Sequence, residues 1–195
     1  NTDASISDSR LLVDYIYLDT DERRRFAQVS HEYLIEQVQH EGKVTATAAG
    51  SSANVTVNYN HPVKYIAWAV ENSSAPCTFR SLVPLSKDHH ASSSEGSGKL
   101  LLNGNDRFEA RSMDYFTKVQ PYQHFNTVIP DNRIAVYSFA NNPTEHQPSG
   151  TCNFSRIDNA AIMFNSSKKG TFSVYAMNYN VLRVMSGMGG LAYSN

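Results

Sequence analysis

Residues 147–158 read QPSGTCNFSRID, and this stretch is the most informative in the chain. Pro148, Ser149 and Gly150 predict a turn, because proline holds φ at about −65° and glycine tolerates positive φ. Beyond the turn, Phe154, Arg156 and Asp158 alternate with Ser155 and Ile157, which we interpret as entry into a strand. The stretch has no nucleophile–base pair, metal-ligand spacing or phosphate loop. It therefore indicates packing and assembly, not catalysis.

Strand patterns extend over most of the chain. The alternation is cleanest over residues 54–59, where Val55, Val57 and Tyr59 share one face. Residues 100–119 are expected to hold either a strand pair or a strand and a short helix. The other predicted strands are residues 10–18, 32–40, 63–70, 133–140, 155–164 and 171–184. About eight strands without a βαβ rhythm predict an all-β, eight-stranded antiparallel jelly-roll sandwich with long inter-strand loops.

One helix and one long loop interrupt the strands. Asp19 can cap a short helix over residues 20–28, and the acidic residues near its start suit the helix dipole. The Arg23-Arg24-Arg25 triplet on this helix is interpreted as a solvated face. Residues 72–98 are rich in Ser, Gly and charged side chains, so we expect them to form a long exposed loop.

Two predicted strands are apolar on both faces. In residues 63–70, Tyr65 and Ala67 lie opposite Ile66 and Trp68, and residues 171–184 show the same pattern. An antiparallel sandwich normally leaves one face of each sheet exposed to water. The second apolar face is therefore covered either by the chain's own loops or by another domain or subunit, and both readings stay open.

Composition excludes several functional classes. The 195 residues carry 17 Lys plus Arg and 18 Asp plus Glu, so the net charge of −1 gives no reason to expect direct nucleic-acid binding. Cys77 and Cys152 are the only cysteines, which fits a reducing compartment while leaving a single bridge between them open. No apolar run is long enough to span a membrane. Because the chain begins at Asn1, we expect it to be a piece of a longer polypeptide.

No motif in the chain supports catalysis or cofactor binding. His89 and His90 lack the spacing of a metal site with either cysteine, and residues 96–99 fail the phosphate-loop pattern at the position after Lys99. We therefore expect no catalytic residue, metal or cofactor. A lectin-like jelly roll is the alternative function, with Trp68 stacking on sugar rings. Because Trp68 lies within an apolar strand, core packing is the favoured interpretation.

Four glycosylation sequons occur in the sequence. They can be used only if the chain meets the secretory machinery, and the low cysteine content argues against that. We therefore expect the sequons to be coincidental. They begin at Asn54, Asn72, Asn153 and Asn165.

Four segments in order carry a family resemblance. Besides residues 147–158, they are YLDTDERRRFA at 17–27, HEYLIEQ at 31–37 and NVLRVMSGMGGLA at 180–192. Together they closely resemble the major capsid proteins of large nucleocytoplasmic DNA viruses, in particular the chlorella-virus type. The proteins of that family are double jelly rolls, and this sequence is similar to the second, C-terminal jelly roll.

The resemblance implies a structural role in a virion. Residues 1–195 would be a single jelly-roll domain, with residues 1–9 as a linker from a preceding one and residues 72–98 at the outer surface. A homotrimer would form pseudo-hexagonal capsomers that tile an icosahedral shell, assembled in the host cytoplasm. The implied partners are other copies, the N-terminal jelly roll, neighbouring capsomers, and minor capsid and penton proteins. The family carries no catalytic residues, binds no nucleic acid directly through this protein, and meets an internal membrane only indirectly.

The residues of the 147–158 signature are given structural roles. Pro148 and Gly150 are expected to set the turn, and Phe154 to anchor the next strand together with Ile157. The Arg156 and Asp158 side chains are expected to pair or to bond backbone at a domain or subunit boundary, against the alternative of an ordinary exposed pair on one strand face. The signature residues are Gln147, Pro148, Ser149, Gly150, Asn153, Phe154, Arg156 and Asp158.

Overall fold

The computed structural model describes residues 8–46, 52–71, 82, 85, 96–126, 132–166 and 170–194. None of the helices in these ranges has the length and apolar character needed to cross a membrane. The elements are α1 (Thr20–Gln28), β1 (His31–Ala46), β2 (Ser52–Val57), β3 (Pro62–Glu71), β4 (Gly96–Leu102), β5 (Asn105–Asp106), β6 (Arg111–Ser112), a π-helical turn (Tyr115–Val119), α2 (Gln120–His124), β7 (Ile134–Ser138), β8 (Cys152–Asn153), a 3₁₀ turn (Phe154–Arg156), β9 (Ala160–Ser166), β10 (Gly170–Met185) and β11 (Met188–Leu191).

The strands pair as a long antiparallel ribbon wound into two sheets. β1 pairs with β10, β2 with β9, β3 with β7 and β4 with β6. The first sheet has the order β1-β10-β3-β7, and the second has β2-β9-β4, with both β5 and β6 next to β4. Pairing of the first of these eight strands with the last, and so on inwards, is the jelly-roll pattern. The predicted fold class is confirmed, and the short strands β5, β8 and β11 add to the sheets.

Aromatic side chains fill the space between the sheets. The Trp68 ring on β3 lies 5.2 Å from Phe116 and 5.5 Å from Phe164, and Phe164 stacks on Phe172 at 4.8 Å. Trp68 is only 3% exposed. Burying a large aromatic side chain contributes about 2–3 kcal/mol to stability. The prediction that Trp68 belongs to the core is confirmed, so its ring cannot serve as a platform for a sugar.

The strand patterns predicted for β2 and β1 are confirmed. Val55, Val57 and Tyr59 are 0, 1 and 4% exposed, and the Tyr59 hydroxyl donates to the Val174 carbonyl at 3.0 Å. The β1 strand covers the predicted residues 32–40. Its Gln39 amide binds the Asn60 backbone twice, at 2.6 and 2.9 Å, and so ties the connection between β2 and β3 to β1.

Helix α1 begins where the capping pattern predicts. An Asp19 carboxylate oxygen accepts a hydrogen bond from the Glu22 backbone N–H at 2.8 Å, which satisfies one of the free donors at the helix start. The helix buries none of its residues, and Arg24 pairs with Asp21 at 3.3 Å in solvent. The interpretation of the arginine triplet as a solvated face is confirmed.

The strand predicted over residues 10–18 is wrong for this chain. This segment, called the arm below, is irregular and exposed from end to end. No backbone hydrogen bond joins it to any other described residue. A strand requires a neighbour to satisfy its N–H and C=O groups, and within the described ranges the arm has none.

Other predicted boundaries also need correction. The strand predicted from residue 155 starts at Ala160, because Phe154–Arg156 form a 3₁₀ turn. Residues 148–150 form no turn; the chain reverses earlier, where the Glu145 N–H approaches the Asn142 carbonyl at 3.4 Å. Within the predicted loop 72–98, β4 already begins at Gly96 and Leu85 is buried. Apart from residues 82, 85 and 96–98, that loop lies outside the described residues. Residues 100–119 combine the two alternatives, because the end of β4 pairs with β5 and a π-helical turn follows β6.

Candidate assembly surfaces

The outer face of the first sheet is only partly covered by the chain itself. Phe125, just after α2, packs edge-to-face on Tyr65 with ring centroids 5.1 Å apart. The side-chain oxygen Oε1 of Gln120 accepts a hydrogen bond from the Ser138 backbone N–H at 3.0 Å and so protects the free edge of β7. The α2 segment therefore covers the β3–β7 side, which settles part of the question raised by the two-sided strands.

The β1–β10 side of the same face is uncovered by the described residues. Its large side chains line up across the two strands, because Leu34 faces Val181 and Val38 faces Met177 in the strand register. Val38 is 60% exposed and Tyr175 is 43% exposed. We call these five residues, Leu34, Val38, Tyr175, Met177 and Val181, the outer apolar face. An exposed apolar patch on a sheet is typical of an interaction surface.

An ion pair between a buried lysine and a partly exposed glutamate lies within this face. Lys64 is 1% exposed, and its Nζ donates to Glu36 Oε1 at 2.6 Å. The same Nζ lies 5.1 Å from the centre of the Tyr179 ring. Lys64 falls at an irregularity of the β3–β10 register, which turns its side chain onto the outer face beside Glu36. The sequence analysis did not identify this pair, since a lysine in an apolar strand carries no signal of its partner.

Within residues 147–158, Phe154 is the side chain that packs into the core. This side chain is 2% exposed, and its ring packs at 6.0 Å from Tyr59 and at 5.7 Å from Phe139. The Phe154 N–H donates to the His61 carbonyl at 3.1 Å. In return, the His61 N–H donates to the Ser155 hydroxyl at 2.8 Å. Phe154 is thus buried in a 3₁₀ turn that precedes β9, and its role as an anchor of that strand stays a prediction.

Gly150 and Ser149 shape the loop that leads into this anchor. Gly150 has φ of +142°, and a Cβ there would lie 2.9 Å from the Phe139 carbonyl oxygen. The Ser149 hydroxyl accepts from the Asn142 N–H at 2.8 Å and closes the loop. Gln147 and Pro148 are exposed. Only glycine fits at position 150, because the obstructing atom belongs to the backbone.

Comparison with known proteins identifies the family. Residues 22–190 match the family model described as the large eukaryotic DNA virus major capsid protein. The chain belongs to this family. A major capsid protein of Pyramimonas orientalis virus is 48% identical over 98% of this chain and 50% of its own length, and that of Paramecium bursaria Chlorella virus 1 is 42% identical over 94% and 53%. The chain thus spans about half the length of these curated relatives.

Solved capsid structures share the fold. The crystal structure of PBCV-1 VP54, fitted into a reconstruction of the virophage Sputnik, superposes with a TM-score of 0.76 at 38% identity, over 93% of this chain and 56% of that one. The quasi-atomic model of the PBCV-1 virus capsid gives 0.73 at 37% identity, with the same coverage. The resemblance inferred from the four sequence segments is confirmed.

In this capsid-protein chain, the side chains of Arg156 and Asp158 are exposed to solvent. Both are exposed, and within the described residues no ion pair joins them. The Asp158 N–H and the Asn159 N–H instead donate to Asn103 Oδ1, at 3.0 and 3.2 Å. The boundary role of the two charged side chains stays a prediction.

The sequons of this capsid-protein chain differ in their surroundings. Asn54 on β2 and Asn165 on β9 are exposed positions of the second sheet. Asn153 is exposed, but its side-chain oxygen accepts from the Ser155 N–H at 3.1 Å. Asn72 lies outside the described residues. Whether any of them carries a glycan stays a prediction.

The candidate metal and redox groups lie only partly within the described residues. Within the described ranges, no group of three or more His, Cys, Asp or Glu could hold a metal ion. Cys152 carries a free thiol whose pKa is raised by burial, an effect that the nearby Arg107 opposes. Cys77, His89 and His90 lie outside the described residues.

Proposed function

We propose that this chain is a structural part of an icosahedral viral capsid and acts by self-association. The outer apolar face carries the proposal, because it presents exposed hydrophobic side chains on a sheet, in a chain whose family consists of capsid proteins. The unit of function is then a homotrimeric, pseudo-hexagonal capsomer, and the chain performs no catalysis. Val38 and Tyr175 would lie in a contact that excludes water.

The proposed partners are those of a shell protein. They comprise further copies of the chain, an N-terminal jelly roll of the same polypeptide, neighbouring capsomers, and minor capsid and penton proteins. The relatives' length, about twice that of this chain, supports the preceding domain. Assembly would take place in the host cytoplasm, with no direct contact to nucleic acid and only an indirect one to an internal membrane.

Light scattering of the full-length polypeptide tests this proposal. We expect a stable trimer, and we expect Val38→Lys to weaken it at least about tenfold, since a lysine in an apolar contact loses its hydration. Thr56→Lys is the matched control, because it is also an exposed strand position but lies on the second sheet. A monomeric protein that binds glycans at millimolar or better affinity would support the lectin-like alternative and overturn the proposal.

A further inference from the structure

Strand β11 leaves one edge of the first sheet open. Within the described ranges it pairs only with β10, and all four of its residues, Met188–Leu191, are exposed. The Ala192 N–H donates to the Val181 carbonyl at 2.8 Å, so residues 188, 190 and 192 direct their backbone groups toward β10. The N–H and C=O groups of Gly189 and Leu191 therefore point away from β10, where no described backbone group binds them.

The two ends of the first sheet, β1 and β7, are protected against further pairing. The β1 strand carries the charged side chains of Glu32 and Glu36, and at β7 the Gln120 side chain binds the Ser138 N–H. The β11 edge has no such protection, since residues 184–195 contain neither a charged side chain nor a proline. An open, uncharged strand edge is a template on which another strand can form hydrogen bonds.

The hairpin that presents this edge has a defined register. Met185 pairs with Met188 across the two-residue turn of Ser186 and Gly187. The φ angles of these turn residues are +53° and +77°, both positive as a type I′ turn requires. Such a turn matches the twist of the two strands that it joins. The open edge thus belongs to a regular hairpin and not to a loop.

The residues of β11 alternate in size so that the strand is complementary to itself. Two copies can pair antiparallel about a two-fold axis at Gly190. Gly189 then lies opposite Leu191 of the second copy, and Met188 lies opposite residue 192 of that copy, an alanine. Each large side chain meets a small one, and Met188 and Leu191, which are 73 and 47% exposed, lose contact with water. Because the backbone groups of Gly189 and Leu191 point outward, each such pair exchanges both of its hydrogen bonds.

The hairpin also continues the outer apolar face. Met188 pairs with Met185, which lies on the same side of the sheet as Val181, because alternate residues of a strand share a side. A groove of about 320 Å³ runs over this part of the hairpin. Among the described residues that line it, Arg183 alone is charged, and its guanidinium pairs with Glu32 at 2.7 Å. The described part of this surface therefore presents no unpaired charge to a second copy of itself.

We propose that β11 is an assembly strand, which pairs antiparallel with β11 of a second copy and joins the first sheets of the two copies into one continuous sheet. Such an interface is isologous, because the same residues of both copies face each other. It uses the edge of the sheet, whereas the proposed capsomer contact uses its face. The contact would link one capsomer to its neighbour. That placement rests on the proposed function, whereas the pairing rests on the geometry of β11.

Disulfide trapping in the full-length polypeptide tests the register. Gly190→Cys places two thiols opposite each other, with Cα atoms about 4.5 Å apart, a distance that a disulfide spans. With oxidised glutathione we expect a cross-link between residues 190 of two copies, identified by peptide mass spectrometry. It should form at least about tenfold faster than a cross-link between two copies of the control Ser186→Cys, which is exposed on the same hairpin but outside the pairing. Equal cross-linking of both variants, or none in Gly190→Cys, overturns the proposal.

Light scattering over a range of concentrations measures the strength of the contact. Gly189→Pro removes the outward N–H but leaves the bonds to β10, so we expect the dissociation constant of the two-fold contact to rise at least about tenfold. Gly189→Ala is the matched control, because it keeps the N–H and its Cβ meets no atom within 4 Å. An unchanged dissociation constant in Gly189→Pro contradicts the proposal.

Two further outcomes separate this inference from the proposed function and from other occupants. Amide hydrogen exchange that is slow at Gly189 and Leu191 in unassociated full-length protein would mean that another part of the polypeptide covers the edge, and the proposal would be wrong. Stable trimers that form no two-fold contact refute this inference alone. A two-fold contact in a protein that does not form trimers refutes the proposed function alone.

Discussion

The partly buried ion pair between Lys64 and Glu36 provides the sharpest test of the energetics. Glu36→Gln keeps the shape of the side chain but removes the charge that Lys64 Nζ faces at 2.6 Å. The Lys64 side chain is 2% exposed and that of Glu36 is 32% exposed, so only the carboxylate can recover its hydration when the partner is lost. The two single substitutions should therefore have unequal costs.

The expected loss of stability follows from the exposed fractions of the Lys64 and Glu36 side chains. Removing one partner of a fully buried pair costs about 3–5 kcal/mol, because the remaining charge is left without compensation. Partial access of water near Glu36 reduces this cost. We therefore expect Glu36→Gln to lower the free energy of unfolding by about 2–3 kcal/mol. Lys64→Met fills the same space and leaves a carboxylate that can turn to water, so its cost should be below about 1 kcal/mol.

Urea unfolding of the 195-residue chain measures these differences. Trp68, the only tryptophan, is buried in the core and reports unfolding through its fluorescence. The matched control is Arg183→Gln, which breaks the pair with Glu32 on the same face, where the side chains are 47 and 54% exposed. An exposed pair of this kind contributes less than about 1 kcal/mol.

Two results would refute this reasoning. One is a Glu36→Gln variant that loses no more stability than Arg183→Gln. The other is a Lys64→Met variant that loses as much as Glu36→Gln. In the double variant Glu36→Gln/Lys64→Met we expect most of the lost stability to return, because no uncompensated charge remains.

Three further predictions concern the core and the signature loop. Gly150→Ala should cost about 2–3 kcal/mol because of its φ of +142° and the Phe139 carbonyl, whereas Gly189→Ala, with no atom near its added Cβ, should change the urea midpoint little. Phe154→Ala should cost about 3–5 kcal/mol in the same assay, and a loss below about 1 kcal/mol would contradict its role as an anchor. Burial raises the pKa of Tyr59 above its ordinary value, so its protonated form stabilises the fold fully below about pH 10 and that contribution is lost at higher pH. Tyr59→Phe should flatten the fall in stability above about pH 10, and an unchanged pH profile would contradict this assignment.

Features set by neighbours in the sequence were predicted well. The Asp19 cap of α1 and the alternation of Val55 and Val57 depend on contacts a few residues away or on one face of one strand, and the structure has both. The core position of Trp68 followed from its apolar neighbours alone. The fold class could be predicted because it is the sum of many such local patterns.

Features that depend on distant contacts were predicted poorly. The residues from Phe154 were expected to form a strand, but the ring must reach Tyr59 and Phe139, and a 3₁₀ turn allows it to do so. The buried state of Lys64 depends on a register irregularity between β3 and β10 and on Glu36 from a third strand. No local sequence pattern indicates that the irregularity and Glu36 occur together beside Lys64.

The arm shows most clearly which features depend on the sequence and which depend on the tertiary structure. By itself, the sequence determined that residues 10–18 favour a strand, and it determined the class of fold, since composition and alternation are local properties. The family followed from the resemblance of four sequence segments. Only the tertiary structure decided that the arm has no partner within the described chain and that the β1–β10 face is left uncovered. The reason is physical: a strand's preference resides in its own residues, whereas its hydrogen bonds and the burial of its faces require other parts of the molecule.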